Sequence, residues 1–305
     1  MDERRAQLRE RGIHYVDSAK GDDWSPSAQR KRSTEEHSED LSAAINDLEF
    51  DSYLDYLLKL VHDDSISNGV AEAELLVLFM VGYENNALLL EWVLLYMAKY
   101  PAIQQRVRAE LFRVHQISIE QNEESKQEAA VRDFDLGLVI QCPLLRAFVH
   151  ETLRTSRLIR CGLARVIKRE GAEIEWKGNT YVLPKGGLLS YDIDYVSAKS
   201  AKENWKMDED GKVKEFDLDN FVDENGRFKL NESLISFGFG ARDCPGKAFA
   251  IKFIVMNAAY LIMNYQVAFG DKELRTNPTE VEFKCDLAKF NRIVAEEMPF
   301  KFSKI

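Results

Sequence analysis

The sequence predicts a mainly α chain with small β hairpins, an α+β class, from three observations. Two long stretches are apolar on nearly every side, prolines stand where helices would begin, and short β-type runs are separated by glycine-rich turns. The chain has 305 residues, 45% of them hydrophobic and 10% aromatic, so it carries an ordinary globular core and is not disordered throughout. Its 41 Lys and Arg against 51 Asp and Glu give a formal net charge of −10, which argues against broad phosphate contacts and against a nucleic-acid partner. Cys142, Cys161, Cys244 and Cys285 form no CxxC pair. Neither a disulfide framework nor a zinc knuckle follows, and a reducing compartment fits.

Taken in order, residues 1–69 read as a polar, partly helical N-terminal segment and 70–305 as the functional part. The start is charged from its second residue and lacks the apolar core of a signal peptide. The longest apolar run, 75–82, is far short of the ~20 residues a membrane span needs, so the expectation is a soluble chain with no transmembrane segment. Residues 50–62 have helical spacing, and a much longer helix begins near Val70. That helix is apolar except at Gly82, Glu84, Asn85 and Asn86, and a polar patch inside a buried helix needs a reason. Pro101 ends it and opens the next, a Glu/Gln-rich connector occupies roughly 118–130, and Pro143 starts a further helix.

LARVIK, AEIEW, NTYVL and GLLSY read as hairpin strands turned by KGN and PKGG. Residues 199–235 lack a sustained period, yet Trp205, Phe216, Phe221 and Phe228 recur there, which predicts a packed irregular meander. KAFAIKFIVMNAAYLIMNY is apolar all round and reads as a buried helix, and a closing hairpin is expected from VEFKC and the last residues. No internal repeat is expected.

Directly before that last helix stands Phe237-Gly238-Phe239-Gly240-Ala241-Arg242-Asp243-Cys244-Pro245-Gly246, of pattern FxxGxRxCxG. Glycines at 240 and 246 let backbone approach a flat ligand, and Cys244 sits at a helix N-terminus, whose free N–H groups and dipole favour negative charge on sulfur. One cysteine leaves tetrahedral zinc unsatisfied, whereas a haem iron held by its porphyrin needs a single axial sulfur. Arg242 is then a candidate partner for a haem propionate. The alternative is a buried structural cysteine beside a glycine-rich turn.

At these residues the sequence resembles the cytochrome P-450 superfamily of haem-thiolate monooxygenases, and Glu91-Trp92 with the Pro101 helix start resembles its microsomal-type members in particular. Glu151-Thr152-Leu153-Arg154 matches the family's ExxR in the right order along the chain. The two side chains share a helix face, although a lone ExxR is a surface pair worth under about 1 kcal/mol. A zinc-protease HExxH is excluded because position 154 is arginine. The meander motif appears as Phe216-Asp217-Leu218-Asp219-Asn220-Phe221, with Asn220 where family members place arginine or histidine. Arg165 matches a frequent propionate partner, its alternative being an exposed strand arginine. Val81-Gly82-Tyr83-Glu84-Asn85-Asn86 resembles the oxygen-side motif, in which glycine permits a helix widening, the acid joins a proton route and a threonine positions water and dioxygen. Asn85 replaces that threonine, and an amide relays protons less readily than a hydroxyl. The alternative for this patch is a polar kink satisfied by neighbouring helices.

The resemblance implies a cytochrome P-450 fold, N-terminally truncated, covering roughly residues 70–305. It implies haem (iron protoporphyrin IX) held by Cys244, with Phe237, Gly240, Arg242, Gly246 and Arg165 around it. Glu84 and Asn85 would serve the oxygen side, with Gly82, Glu151, Arg154 and Asn220 structural. The implied reaction inserts one atom of O₂ into a small apolar organic substrate, with electrons from NADPH through an NADPH-cytochrome reductase. An isomerase or dehydratase acting on hydroperoxides, or an inactive truncated fragment, are the alternatives. Endoplasmic reticulum association through a missing N-terminal anchor is implied too, as are an exposed apolar face and weak haem retention.

Overall fold

A computed structural model describes residues 52–121, 136–156, 158–159, 162, 164–193, 204–240, 243–283 and 298–305. The expectations for residues 1–50, for most of the 118–130 connector and for Arg242 fall outside these residues. Helix starts follow capping chemistry. Ser52, in extended backbone, opens α1 (Tyr53–His62) by accepting the Asp55 N–H at 3.3 Å. Helix α2 (Asn68–Lys99) runs 32 residues, and Pro101, which has no N–H to lose, begins α3 (Pro101–Gln121). Helix α3 continues to Gln121 because the Glu/Gln-rich start of the connector is itself helix-forming. After the single turn α4 (Leu136–Val139), Pro143 opens α5 (Pro143–Ser156). The Glu110 carboxylate of α3 caps that start, accepting N–H groups of Leu144 at 3.0 Å and Leu145 at 3.2 Å.

Strand β1 (Arg165–Val166) pairs antiparallel with β4 (Leu188–Leu189), and between them β2 (Ala172–Trp176) pairs with β3 (Asn179–Leu183), Trp176 facing Asn179. The two-residue link Lys177-Gly178 takes positive φ at both positions, 51° and 77°, matching the right-handed twist of a tight hairpin. The meander carries one 3₁₀ turn, Leu218–Asn220, and two turns of the same build, which is a short repeat the sequence reading did not expect. Around Met207↔Val213 and Val222↔Phe228, Asp208 and Asp223 each accept N–H groups two and four residues on, and Gly211 and Gly226 each take positive φ.

Helix α6 (Lys247–Asn264) runs straight into β5 (Tyr265–Phe269), which pairs antiparallel with β6 (Phe300–Lys304). The closing hairpin therefore uses the end of the apolar run and not VEFKC. Residues 281–283 form no strand, and Lys284 and Cys285 lie outside the described residues. The short α7 (Lys272–Thr276) follows β5, capped by Asp271.

Two compact units divide between Val81 and Gly82. In the second, Trp92, Val93 and Tyr96 join Leu145, Phe148, Phe221, Ile254, Val255, Ile262 and Phe269 in one core. A buried polar rivet runs through it. Gln104 donates to the carbonyls of Met97 (3.0 Å) and Val267 (3.1 Å), and Arg108 donates to those of Ile262 (2.7 Å) and Tyr265 (2.8 Å), tying α3 to the α6–β5 junction.

The two all-apolar helices are not buried as their composition predicts. In α2, Phe79 and Tyr83 are both 70% exposed, and in α6, Phe249, Phe253, Met256 and Tyr260 face out while Ile254, Val255, Ala258 and Ile262 face the core. An all-round apolar helix is expected to be covered on every side, and the described residues cover α6 on one side only. Both helices are also long and apolar enough to cross a membrane, by length and composition alone.

Candidate functional site

The cysteine loop is closed by its own backbone. Cys244 donates its N–H to the Phe237 carbonyl at 2.8 Å, and Asp243 donates to Gly240 at 3.1 Å. Gly240 takes φ +73°, a conformation costly for any residue with a side chain. Gly246 stands at the N-cap of α6 without a side-chain cap, so the first-turn N–H groups of that helix are not capped by it. A Cβ added at Gly246 would meet the Cys244 Sγ at 3.8 Å, so the sulfur lies against the start of the helix. Phe237, Gly240, Cys244 and Gly246 are thus brought together in one turn, with Cys244 half-buried. Among the described residues no group of three or more His, Cys, Asp or Glu side chains can hold a metal ion. This donor set suits a metal that brings its own equatorial ligands and asks the protein for one sulfur.

Behind the loop, Ser236 donates to the Leu153 carbonyl of α5 at 3.3 Å. On that helix Glu151 is fully buried and Arg154 nearly so. Arg154 donates to both Glu151 oxygens at 2.7 Å, and also to the carbonyls of Lys214 (3.1 Å) and Glu215 (2.9 Å). Glu151 further accepts the Asp217 N–H at 2.6 Å and the Asn220 amide at 3.0 Å. The pair is therefore the clasp between α5 and the meander, not a surface ion pair. Desolvation holds the Glu151 carboxyl above its ordinary range, and these four donors offset that rise only in part. Asn220 fills the third position with both ends used, because its Oδ1 accepts the Lys206 N–H at 2.7 Å. An arginine or histidinium has no acceptor to offer there. Trp205, unassigned from sequence beyond its aromatic recurrence, packs its ring 5.2 Å from the Arg154 guanidinium.

Arg165 lies exposed on β1 and donates to its neighbour's Ala164 carbonyl. The polar patch of α2 is a continuous α-helix, with no local widening at Gly82. Asn86 donates to the Gly82 carbonyl at 2.6 Å, and a Cβ built at Gly82 meets nothing within 4 Å outside the helix's own nearby backbone. Glu84 is exposed and Asn85 half-buried beside it. Gly162 was missed altogether. A side chain there would overlap the Tyr191 ring at 2.3 Å, and only a contact between distant residues reveals that requirement.

A mainly α chain with small hairpins, a single-sulfur loop heading a helix and a buried Glu-Arg clasp define a haem-thiolate class of protein. The cytochrome P450 family model matches residues 26–285, and the chain belongs to that family, whose members bind haem. It is similar to Cytochrome P450 2J5 of Mus musculus, 29% identical over 201 residues that make up 64% of this chain and 34% of that protein. It is also similar to Cytochrome P450 2J2 of Homo sapiens, 28% identical over 220 residues, 71% of this chain and 38% of that protein. Cytochrome P450 2E1 of Mesocricetus auratus is 26% identical over 219 residues, 71% of this chain and 39% of that protein. The matched regions thus span little more than a third of the length of these relatives.

Proposed function

We propose that residues 70–305 form the haem-binding part of a haem-thiolate monooxygenase that inserts one oxygen atom of O₂ into a small apolar organic substrate. The observation that carries the reading is Cys244, held by its own N–H on the Phe237 carbonyl at the uncapped start of α6. Haem bound there supplies oxygen activation, using electrons from NADPH through a reductase partner. Cys244 would hold the haem through its sulfur, and Phe237, Gly240 and Gly246 would shape the turn that presents it. Arg242 and Arg165 are the propionate partners in this reading. Glu84 would join a proton route on the oxygen side, and Asn85 would orient water there through an amide that both donates and accepts. Glu151, Arg154 and Asn220 keep the meander seated behind the loop, while Gly82 adds no side chain to the α2 surface. The similarity to 2J and 2E1 proteins supports association with the endoplasmic reticulum membrane.

Asn85 favours a second reading, in which the same haem rearranges or dehydrates a hydroperoxide without external electrons. Turnover of a hydroperoxide in the absence of NADPH, with none of an apolar substrate in its presence, selects that reading. The shared foundation is tested by the absorption spectrum of the reduced, carbon-monoxide-bound chain. The expected result is a red-shifted thiolate Soret band that disappears in Cys244→Ala. Absence of the band from the unaltered chain removes both readings.

A further inference from the structure

The loop that carries Cys244 is tied down at two places. At its root, Ser236 donates to the Leu153 carbonyl of α5. At its tip, Phe239 stands between Gly238 and Gly240, whose φ values of 77° and 73° bend the chain on both sides of it. The ring of Phe239 meets the ring of Tyr191 with centroids 5.2 Å apart and planes 47° apart. Phe239 is 65% exposed and neither ring belongs to the core, so filling the interior does not account for the pair. Tyr191 is itself fixed from the other side. Its carbonyl accepts the Gly162 N–H at 2.9 Å, the neighbouring Ser190 donates to the Gly162 carbonyl, and its ring occupies the space that a Cβ at Gly162 would need. The segment leaving α5, the segment leaving β4 and the cysteine loop therefore meet on one tyrosine. From the tip, two backbone bonds lead to the sulfur: Asp243 donates to the Gly240 carbonyl at 3.1 Å, and Cys244 to the Phe237 carbonyl at 2.8 Å.

We propose that Tyr191 is a positioning residue for Cys244: it clamps Phe239 at the tip of the loop and so sets where the loop holds the sulfur at the start of α6. A site that offers one sulfur has no second protein donor to correct its position, so the residues that fix the loop take that task. With the clamp closed, Cys244 stays half-buried against the first turn of α6. With it open, the loop is held at its root alone, and the sulfur moves away from the helix end toward water. The use made of the sulfur rests on the haem reading given above, whereas the clamp itself needs no haem and neither does its test.

The test follows the Cys244 thiol in the full chain by timed alkylation with iodoacetamide and peptide mapping, which separates it from Cys142, Cys161 and Cys285. Alkylation of Cys244 is expected to be about fivefold faster in Phe239→Ala and in Tyr191→Ala, the size of effect one lost aromatic pair accounts for. Tyr191→Phe keeps the ring and should restore the parent rate. The midpoint of the alkylation rate against pH should also move in both alanine variants, because the sulfur leaves the end of the helix that favours its charge. The double variant should be no faster than either single one, since each opens the same clamp. An unchanged rate and midpoint in Phe239→Ala overturns the proposal, as does Tyr191→Phe reacting as fast as Tyr191→Ala. Cys142, buried in the core, reports on the fold. If its alkylation rises in Tyr191→Ala, that variant has opened the core, and Phe239→Ala, which removes a mostly exposed ring, decides alone. A missing thiolate Soret band leaves these outcomes unchanged, so failure of the clamp and failure of the haem reading are told apart.

Discussion

Helix α5 carries the Glu151–Arg154 pair and helix α6 follows the cysteine loop, and the two solve opposite problems. Helix α5 is closed: most of its residues from Leu145 onward are buried, and its charged pair is matched donor to acceptor by the meander. Helix α6 is open: Phe249, Phe253, Met256 and Tyr260 form an apolar stripe in solvent while the opposite face fills the core. A helix rich in charge is thus the better buried of the two, because its charges find partners within the chain. The helix richer in apolar residues is left half bare. Burial here follows the supply of complementary surface, not hydrophobicity.

The contrast breaks most sharply at Glu151. Glu151→Ala leaves Arg154 buried without its carboxylate, and a loss of about 3–5 kcal/mol is expected in urea unfolding. Glu151→Gln removes the charge but keeps the shape and should lose less, and equal losses in the two variants would show that the charge alone, and not the shape of the side chain, carries the clasp.

The next effect belongs to His150, also on α5. Burial, against the rings of Phe221 and Phe228 and near the charges of Arg146 and Lys247, pushes it down to about 4 from its ordinary 6.5. The unfolded chain therefore takes up a proton before the folded one does. Stability is full above about 6.5 and falls as the pH drops toward about 4, by about 3 kcal/mol. His150→Gln removes the histidine and isolates its share of this slope. That variant should flatten the slope between these pH values, and an unchanged slope would place its cause elsewhere.

The smallest effect on stability is expected on α6. Phe249→Lys removes a 63% exposed ring and its stack on Phe253, and should change stability by less than about 1 kcal/mol. Light scattering should nevertheless fall, because the apolar stripe loses its largest exposed member. A large loss of stability would mean that the stripe is already covered in solution.

Legibility tracked locality. Prolines 101 and 143, the KGN turn and the single-sulfur pattern were readable because each imposes a local backbone or chemical constraint that no distant residue alters. The closing hairpin was misassigned because strand pairing joins residues far apart in the chain: Tyr265 stood at the end of the run read as helix, and Gln266–Phe269 had no assignment until β6 claimed them. Asn220 was read as a defect in a charged triad. Only the folded chain reveals that its carbonyl oxygen holds the Lys206 N–H, a task a cation cannot perform.

The amino-acid order by itself determined the class of fold and the family, because capping, turn chemistry and motif spacing act over a few neighbouring residues. The tertiary structure alone decided which charges are buried, which apolar faces stay open and which rings stack, because those depend on surfaces brought together from distant parts of the chain.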